Sequence, residues 1–157
     1  MTGFDGAVKK LLEAKKPRKN DRVDIRYLRA VVHSLQWVSL AESSSLYLAG
    51  KKFGKEAAKS FKSSQVADVV KDLGKMFSDF GVGRLEIKEK DEKSIIVALK
   101  DSASSSGMES VGRPVCFFEA GIIDGAMEAR LKRQTVVTEV LCGGLGDEVD
   151  EFLIKFK

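Results

Sequence analysis

The chain has 157 residues, of which 43% are hydrophobic and 32% charged, and this composition is typical of one folded domain. Its 27 basic and 23 acidic residues are interleaved along most of the sequence, so the net charge of +4 indicates no nucleic-acid surface and we expect no nucleic-acid partner. The apolar runs are far shorter than the roughly 20 residues of a membrane span, and the sequence shows no secretion signal and only two cysteines. These features predict a cytoplasmic protein without membrane contact.

The N-terminal segment is predicted to form a helix, a connector and a brief strand. Apolar residues at helical spacing predict a short amphipathic helix over Phe4–Lys16, and the proline that follows ends it. Pro17–Arg22 is a polar connector, and the alternation of apolar and charged residues in Val23–Tyr27 predicts the strand. We therefore separate residues 1–30, a helix and connector, from one globular unit over residues 31–157.

A long proline-free stretch follows, with apolar residues every three or four positions. It predicts one or two helices that begin near Leu28 or Leu35 and end near Phe61. Gly50 and Gly54 stand one turn apart within it, and each glycine costs a helix about 1 kcal/mol, so a close approach by another element is expected. Tight helix packing is the simpler explanation, and direct contact with a ligand is the alternative.

The middle of the chain predicts a helix, a hairpin and a loop. Ser63-Ser64 can cap an amphipathic helix whose apolar face runs from Val66 to Phe77 and which nearby glycines close. Leu85–Glu89 and Ser94–Leu99 then predict a β-hairpin. The serine-rich segment Asp101–Gly107 is expected to be a flexible loop and the part of the chain most prone to disorder.

The C-terminal third predicts a helix followed by a second hairpin. Pro114 suits the first turn of an unusually apolar helix that runs over Val115–Arg130. Val136–Leu141 and Val149–Phe156 are predicted to be strands, joined by the glycine-rich turn Cys142–Glu148. The order of helices, hairpin, helix and hairpin predicts an α+β fold, an antiparallel sheet with helices packed on one face.

Residues 114–156 contain a pattern of motifs: an apolar helix with an E-x-G step, a strand ending E-x-x-C, a G-D turn and a closing apolar strand. The residues are Glu119 and Gly121, Glu139 and Cys142, Gly146-Asp147, and Phe152-Leu153-Ile154. This pattern resembles the end of the 4-vinyl reductase domain family. The helix with the repeated glycines is similar to a family helix too, so the resemblance covers roughly residues 35–157.

The resemblance implies both a fold and a kind of function. Domains of this family resemble TRAPP vesicle-tethering subunits and haem-type nitric-oxide sensors in fold, and they are often paired as dimers. Members include sensor domains of aromatic-responsive transcription activators and a protein linked to bacteriochlorophyll synthesis. For this chain the resemblance implies a hydrophobic small molecule as ligand and a homodimer as assembly.

The resemblance also implies a structural zinc site. In the aromatic-sensing relatives two cysteines, a glutamate and a further cysteine hold the metal, and the matching positions here are Cys116, Glu139, Cys142 and Asp150. Asp150 departs from the pattern, yet carboxylate oxygen is an ordinary zinc ligand. The alternative is that the two cysteines are small buried hydrophobes that bind no metal.

Three hypotheses about function follow, and the first is a non-catalytic, sensor-like binding domain. Its pocket for a hydrophobic molecule would be formed by residues that are first of all candidates for the core, together with one tryptophan: Phe117, Phe118, Ile122, Met127 and Trp37. The second is an enzyme or accessory factor of tetrapyrrole vinyl reduction, although His33 is the only histidine and no cofactor motif is apparent. The third is a homodimeric assembly subunit with the glycine-bearing helix as its dimer face.

Overall fold

The computed structural model describes residues 24–38 and 40–157, so the predicted helix Phe4–Lys16 and connector Pro17–Arg22 lie outside the described residues. The helices within this part of the chain are α1 (Ile25–Val38), α2 (Leu40–Ala57), α3 (Val66–Asp79) and α4 (Phe117–Leu131). The strands are β1 (Arg84–Lys90), β2 (Ser94–Lys100), β3 (Thr135–Leu141) and β4 (Asp150–Phe156). Short 3₁₀ turns follow α2 at Ala58–Ser60 and precede β4 at Gly143–Leu145.

The four strands form one antiparallel sheet in the order β1-β2-β4-β3. Alternate side chains of the central strands, Ile95 and Val97 on β2 and Phe152 and Ile154 on β4, are fully buried. They point to the same face because side chains alternate along a strand, and helices α3 and α4 pack there. The predicted α+β class, with both hairpins and the helices against the sheet, is confirmed.

The predicted strand Val23–Tyr27 is wrong, because its described residues already belong to helix α1 or to its cap. The Asp24 carboxylate accepts a hydrogen bond from the backbone N–H of Arg26 at 2.9 Å, and such a cap favours helix over strand. Helix α1 crosses residue 30, the boundary that we set between connector and globular unit. The division itself stays a prediction. None of the described helices is both long and apolar enough to cross a membrane.

Helices α2 and α4 cross at very short distance, and glycines allow it. A Cβ added to Gly50 would lie 2.1 Å from the carbonyl oxygen of Phe118. One added to Gly121 would lie 2.1 Å from the carbonyl oxygen of Tyr47, so each helix approaches the backbone of the other. Gly54 and Gly125 repeat the arrangement one turn on. The prediction of tight helix packing at the glycines is confirmed.

Two predictions about the segments before α4 are corrected. The serine-rich segment Asp101–Gly107, predicted to be a flexible loop prone to disorder, is packed into the domain, since Ser102, Ser104 and Ser105 are buried and the last two donate hydrogen bonds to buried carboxylates. Hydrogen bonds replace the solvent that such polar side chains normally require. Helix α4 begins at Phe117 with Cys116 as its N-cap, so Pro114 precedes the helix rather than occupying its first turn.

Candidate metal centre

Four side chains from separate elements converge at one end of the sheet. Cys116 lies at the N-cap of α4, Glu139 on β3, Cys142 directly before the 3₁₀ turn and Asp150 at the start of β4. One ligand atom from each lies within 4.8 Å of every other. The four residues named from the sequence are therefore adjacent in space, in a site where both cysteines and the aspartate are buried.

Hydrogen bonds fix the geometry of these side chains. The Cys116 thiol lies 3.1 Å from Oδ2 of Asp150, and the Cys116 backbone N–H donates to Oε2 of Glu139 at 3.1 Å. The sulfur of Cys142 accepts the backbone N–H of Gly144 at 3.2 Å. Donors of this kind favour the charged forms of thiol and carboxyl groups, which are the forms that bind metals.

The protonation equilibria of the cluster reflect several acidic groups in one buried space. Hydrogen bonding with Cys116 lowers the pKa of Cys142 to about 6. The same interaction, together with burial, raises the pKa of the Cys116 thiol well above its usual value. Burial and the neighbouring Cys142 raise the pKa of Glu139 to about 9. These shifts favour a thiolate at Cys142 and the protonated forms of Cys116 and Glu139, and a bound cation would displace those two protons.

The residues fit a zinc ion by number, chemistry and burial. Two thiol sulfurs and two carboxylates make a four-ligand donor set that zinc accepts, and ligand atoms of tetrahedral zinc lie about 3.3–3.8 Å apart. Oε1 of Glu139 is buried and has no hydrogen-bond partner among the described residues. Among the ion pairs of the described residues none includes Glu139 or Asp150.

Four of the five residues predicted to form the ligand pocket lie on α4, and the fifth, Trp37, lies on α1. Ile122 and Met127 are buried in the core, while the Phe118 ring lies 6.0 Å from that of Phe53 at the edge of the core. Phe117 is partly buried in the first turn of α4. Trp37 is 63% exposed on α1 and lines a surface cleft of about 500 Å³ that it shares with His33. The pocket therefore stays a prediction.

A larger cleft, of about 1070 Å³, lies between the C-terminal end of α2 and helix α3. Apolar side chains that include Phe61, Met76 and Phe80 line it, and charged side chains such as Lys75 and Asp79 are also part of its lining. The Phe80 ring is 55% exposed in this cleft. A volume of this size suffices for a small organic molecule.

A buried polar network that the sequence analysis missed joins α2 to α4. Asp124 is buried and accepts hydrogen bonds from the Tyr47 hydroxyl and the Lys51 ammonium, each at 2.7 Å. Burial disfavours the Lys51 ammonium, but its bonds to Asp124 and Glu128 outweigh that and raise its pKa. A signal was present, because a glycine follows Tyr47 by three residues and Asp124 follows another glycine by three. The hydrogen-bonded side chains of Tyr47 and Asp124 thus lie beside the glycines at which α2 and α4 cross.

The contacts of the serines beside the candidate metal centre were also missed. The Ser105 hydroxyl lies 2.7 Å from both oxygens of Asp150, and the Ser104 hydroxyl donates to Glu119. Composition predicted a flexible loop for this segment, and no local pattern pairs a serine with a carboxylate 45 residues away. Burial of the loop depends on α1, whose Arg29 donates to the carbonyl oxygens of Ala103 and Ser106.

Comparison with known proteins supports the relationship suggested by the sequence. Residues 95–156 match the model of the 4-vinyl reductase domain. An uncharacterized protein of Methanocaldococcus jannaschii is 33% identical over 112 residues, which are 71% of this chain and 64% of that protein. A second uncharacterized protein of the same organism is 31% identical over 103 residues, 66% of this chain and 60% of its own length. The chain thus spans about three-fifths of these relatives.

Solved structures share the fold at low identity. A vinyl-4-reductase family protein from M. jannaschii has a TM-score of 0.63 at 22% identity, over 98% of this chain and 90% of that one. The phenol-responsive sensory domain of the transcription activator PoxR, solved with phenol, has a TM-score of 0.68 at 15% sequence identity. The match covers 99% of this chain and 91% of that one.

Two further structures confirm the fold relationships that the resemblance implied. Trafficking protein particle complex subunit 3 from Naegleria fowleri, covalently bound to palmitic acid, has a TM-score of 0.58 at 16% identity, over 98% of this chain and 90% of that one. An H-NOX protein from S. oneidensis also has a TM-score of 0.58, at 13% sequence identity, over 100% of this chain and 99% of that one. Residues 95–156 therefore match the domain that the sequence resembles, and the solved structures show that the fold of the whole described chain is shared.

Proposed function

We propose that this protein is a non-catalytic, sensor-like domain that binds a hydrophobic small molecule and is held together by a structural zinc ion. The observation that carries the zinc part is the buried cluster of Cys116, Glu139, Cys142 and Asp150, with an unpartnered carboxylate oxygen and no described basic partner. Buried acidic groups without a counter-charge are costly, and a divalent cation removes that cost.

Such a metal ion would fasten the start of α4 to the C-terminal hairpin. Cys116 precedes α4, Glu139 and Cys142 belong to the end of β3 and its turn, and Asp150 begins β4. Four protein ligands leave no open coordination position, which is typical of structural rather than catalytic zinc. Binding to ligands that must be deprotonated stabilises the folded state and makes metal affinity fall as pH falls.

Elemental analysis of untagged protein tests the zinc proposal. We expect about one zinc per chain in the wild type and a large loss of zinc in Cys142→Ser and Asp150→Ala. Glu148→Gln is the matched control, because this carboxylate is exposed nearby and is not one of the four ligands. Metal-free wild-type protein that takes up no added zinc would contradict the proposal.

Support for small-molecule binding comes from the fold and from the cleft between α2 and α3. Proteins of this fold include a phenol-responsive sensory domain and a trafficking subunit bound to palmitic acid. The core of this chain is filled around Ile122 and Met127, so the cleft lined by Phe61, Met76 and Phe80 is the better candidate for a ligand site. An apolar lining with charged residues beside it suits a molecule with an apolar body and a polar end.

Native mass spectrometry and thermal shift with phenol and with palmitic acid as probes test this second part. We expect a bound probe to raise the melting temperature of wild-type protein, because ligand binding to the folded state stabilises it. Ser60→Trp places a bulky ring at the cleft and should abolish the shift. Ser44→Trp, at an exposed position of α2, should retain it. A shift that Ser60→Trp leaves unchanged would exclude the cleft as the site.

A homodimer through α1 is the second candidate. Helix α1 has an unusual polarity: Gln36 is buried against the protein, whereas Leu28, Val31, Leu35 and Val38 are each at least 44% exposed. Their spacing of three, four and three residues forms one apolar stripe, which can pair with the same stripe of a second copy. The glycines of α2, which we first assigned to a dimer face, instead face α4 of their own chain.

Sedimentation or light scattering of the wild type and variants tests the dimer. We expect a wild-type dimer that Leu35→Glu converts to a monomer, because a charge in the stripe would be buried without a partner. Val140→Glu, at an exposed apolar position on β3, is the control and should leave the dimer intact. A wild-type monomer at high micromolar concentration would contradict the assembly.

A further inference from the structure

We infer that Ser105 is a positioning residue of the metal centre, which holds the Asp150 carboxylate so that only one of its oxygens is directed to a bound metal ion. This inference rests on the proposed zinc site. Ser105 and Asp150 are both almost completely buried, 2% and 1% exposed, so water does not supply their hydrogen bonds.

The two oxygens of Asp150 have different surroundings. Oδ2 lies 3.1 Å from the sulfur of Cys116 and therefore faces another candidate ligand. Oδ1 accepts the backbone N–H of Gly143 at 3.0 Å, and the Ser105 hydroxyl lies 2.7 Å from both oxygens. A hydroxyl has one proton to donate. If a metal ion binds Oδ2, the Ser105 hydroxyl therefore donates its hydrogen bond to Oδ1.

This arrangement has a consequence for coordination number. A carboxylate binds a metal through one oxygen or through both, whereas a thiolate offers a single atom. The Gly143 N–H and the Ser105 hydroxyl can both donate to Oδ1, and these hydrogen bonds keep Oδ1 from binding the metal ion. They therefore favour a closed, four-coordinate site. Partners of this kind orient ligands, and their removal typically weakens metal binding about 10–100-fold.

The position of Ser105 is itself fixed from two sides. A Cβ on Gly143 would lie 2.8 Å from the Ser105 carbonyl oxygen, so the serine segment is pressed directly against the 3₁₀ turn of the metal centre. On the other side Arg29 of α1 donates to Ala103 and Ser106 at 2.9 and 2.6 Å. The hydroxyl is therefore held in place before any metal binds.

The dissociation constant for zinc, measured by competition with a chromophoric chelator, tests the inference. We expect Ser105→Ala to bind zinc about 10–100-fold more weakly than the wild type. Ser104→Ala is the matched control: this serine is buried in the same segment, but its hydroxyl donates to Glu119, which is not a ligand, so affinity should stay close to wild type. An unchanged affinity in Ser105→Ala would overturn the inference.

A second background separates positioning from general damage. Asp150→Cys replaces the carboxylate by a single ligand atom with no second oxygen to hold. In that background Ser105→Ala should leave zinc affinity unchanged, whereas an equal loss in both backgrounds would refute the role through Asp150. With Co²⁺ as probe, Ser105→Ala should weaken the intense visible bands of tetrahedral cobalt. Wild-type protein that binds no metal overturns the zinc proposal as well, while wild-type binding that Ser105→Ala does not alter overturns the positioning role alone.

Discussion

Glu119 is a carboxyl group buried in the first turn of α4, beside the metal centre but outside its ligand set. One of its oxygens accepts from Ser104 and the other has no hydrogen-bond partner among the described residues. Burial raises the pKa of Glu119 above its usual value of 4.5, and the Ser104 bond only partly opposes that. A raised pKa means that the folded protein holds the proton more tightly than the unfolded chain does.

The raised pKa of Glu119 determines how the stability of the folded protein changes with pH. The contribution of Glu119 to stability is fully present below its unfolded pKa and is lost as pH rises through its folded pKa. Glu119→Gln removes this dependence and should be more stable than the wild type by about 1–3 kcal/mol at pH 8, because the amide cannot ionise whereas the wild type carries a buried carboxylate with few hydrogen bonds. Near pH 4 the two proteins should be equally stable. Chemical denaturation at both pH values measures the difference.

Glu148→Gln serves as the control in the same titration, since its exposed side chain should change stability little at either pH. A Glu119→Gln variant that is less stable than the wild type at pH 8 would contradict the assignment. It would mean that the ionised carboxylate makes favourable contacts that the structure does not describe.

The crossing of α2 and α4 is the main contact between the helical N-terminal half and the C-terminal half of the described chain. Glycines bring the two backbones together, and the Tyr47, Lys51 and Asp124 network lies beside the crossing. Close packing and satisfied polar groups are both needed there, because a cavity or an unpaired charge at this depth would be costly. The crossing thus fixes how α4, and with it Cys116, is presented to the sheet.

Gly121→Ala should destabilise the protein by more than about 3 kcal/mol, since its Cβ would lie 2.1 Å from a backbone oxygen and the helices must separate. Gly74→Ala is the matched helical control. Its Cβ would meet one carbonyl oxygen at 2.9 Å, and the gain in helix propensity of about 1 kcal/mol offsets much of that contact. Thermal or denaturant unfolding compares the two, and equal losses would contradict a special role for the crossing.

Helix α1 should depend on Arg29 for its attachment to the serine segment. Loss of two charge-assisted hydrogen bonds in Arg29→Ala should cost about 1.5–3 kcal/mol or more and should speed amide exchange in residues 102–106. Arg26→Ala is the control, because Arg26 is exposed and its side chain pairs with Asp24 two residues earlier, a contact that contributes little. Unchanged exchange in Arg29→Ala would show that the segment is held by other contacts.

Local patterns predicted most elements of this fold. Periodicity identified α3 and both hairpins, and the resemblance identified Cys116, Glu139, Cys142 and Asp150, which the structure brings together. The failures have different causes. The helical state of Ile25 follows from the local Asp24 cap, which the alternation of apolar and charged residues does not reveal. The burial of Ser105 depends on a contact with a residue far along the chain, which becomes visible only once the elements are assembled.

Over the whole molecule, different contacts join the N-terminal helices and the C-terminal hairpin to the rest of the described chain. The glycine crossing and the serine segment attach the first two helices, whereas the proposed metal centre joins α4 to β3 and β4. Loss of the metal should therefore loosen the C-terminal hairpin first and affect the whole fold through α4. A metal that binds only the folded state stabilises it by about 2.7 kcal/mol at a hundredfold excess over its dissociation constant.

Thermal unfolding of the same protein, with zinc and with a strong chelator, is the decisive test of a structural zinc ion. For a domain of this size a stabilisation of about 2.7 kcal/mol corresponds to a rise in melting temperature of roughly 5–10 °C. We predict that rise for the wild type with zinc and its absence in Cys142→Ser. Identical melting temperatures of the wild type with zinc and with chelator would contradict a structural metal and reduce the four residues to ordinary buried packing.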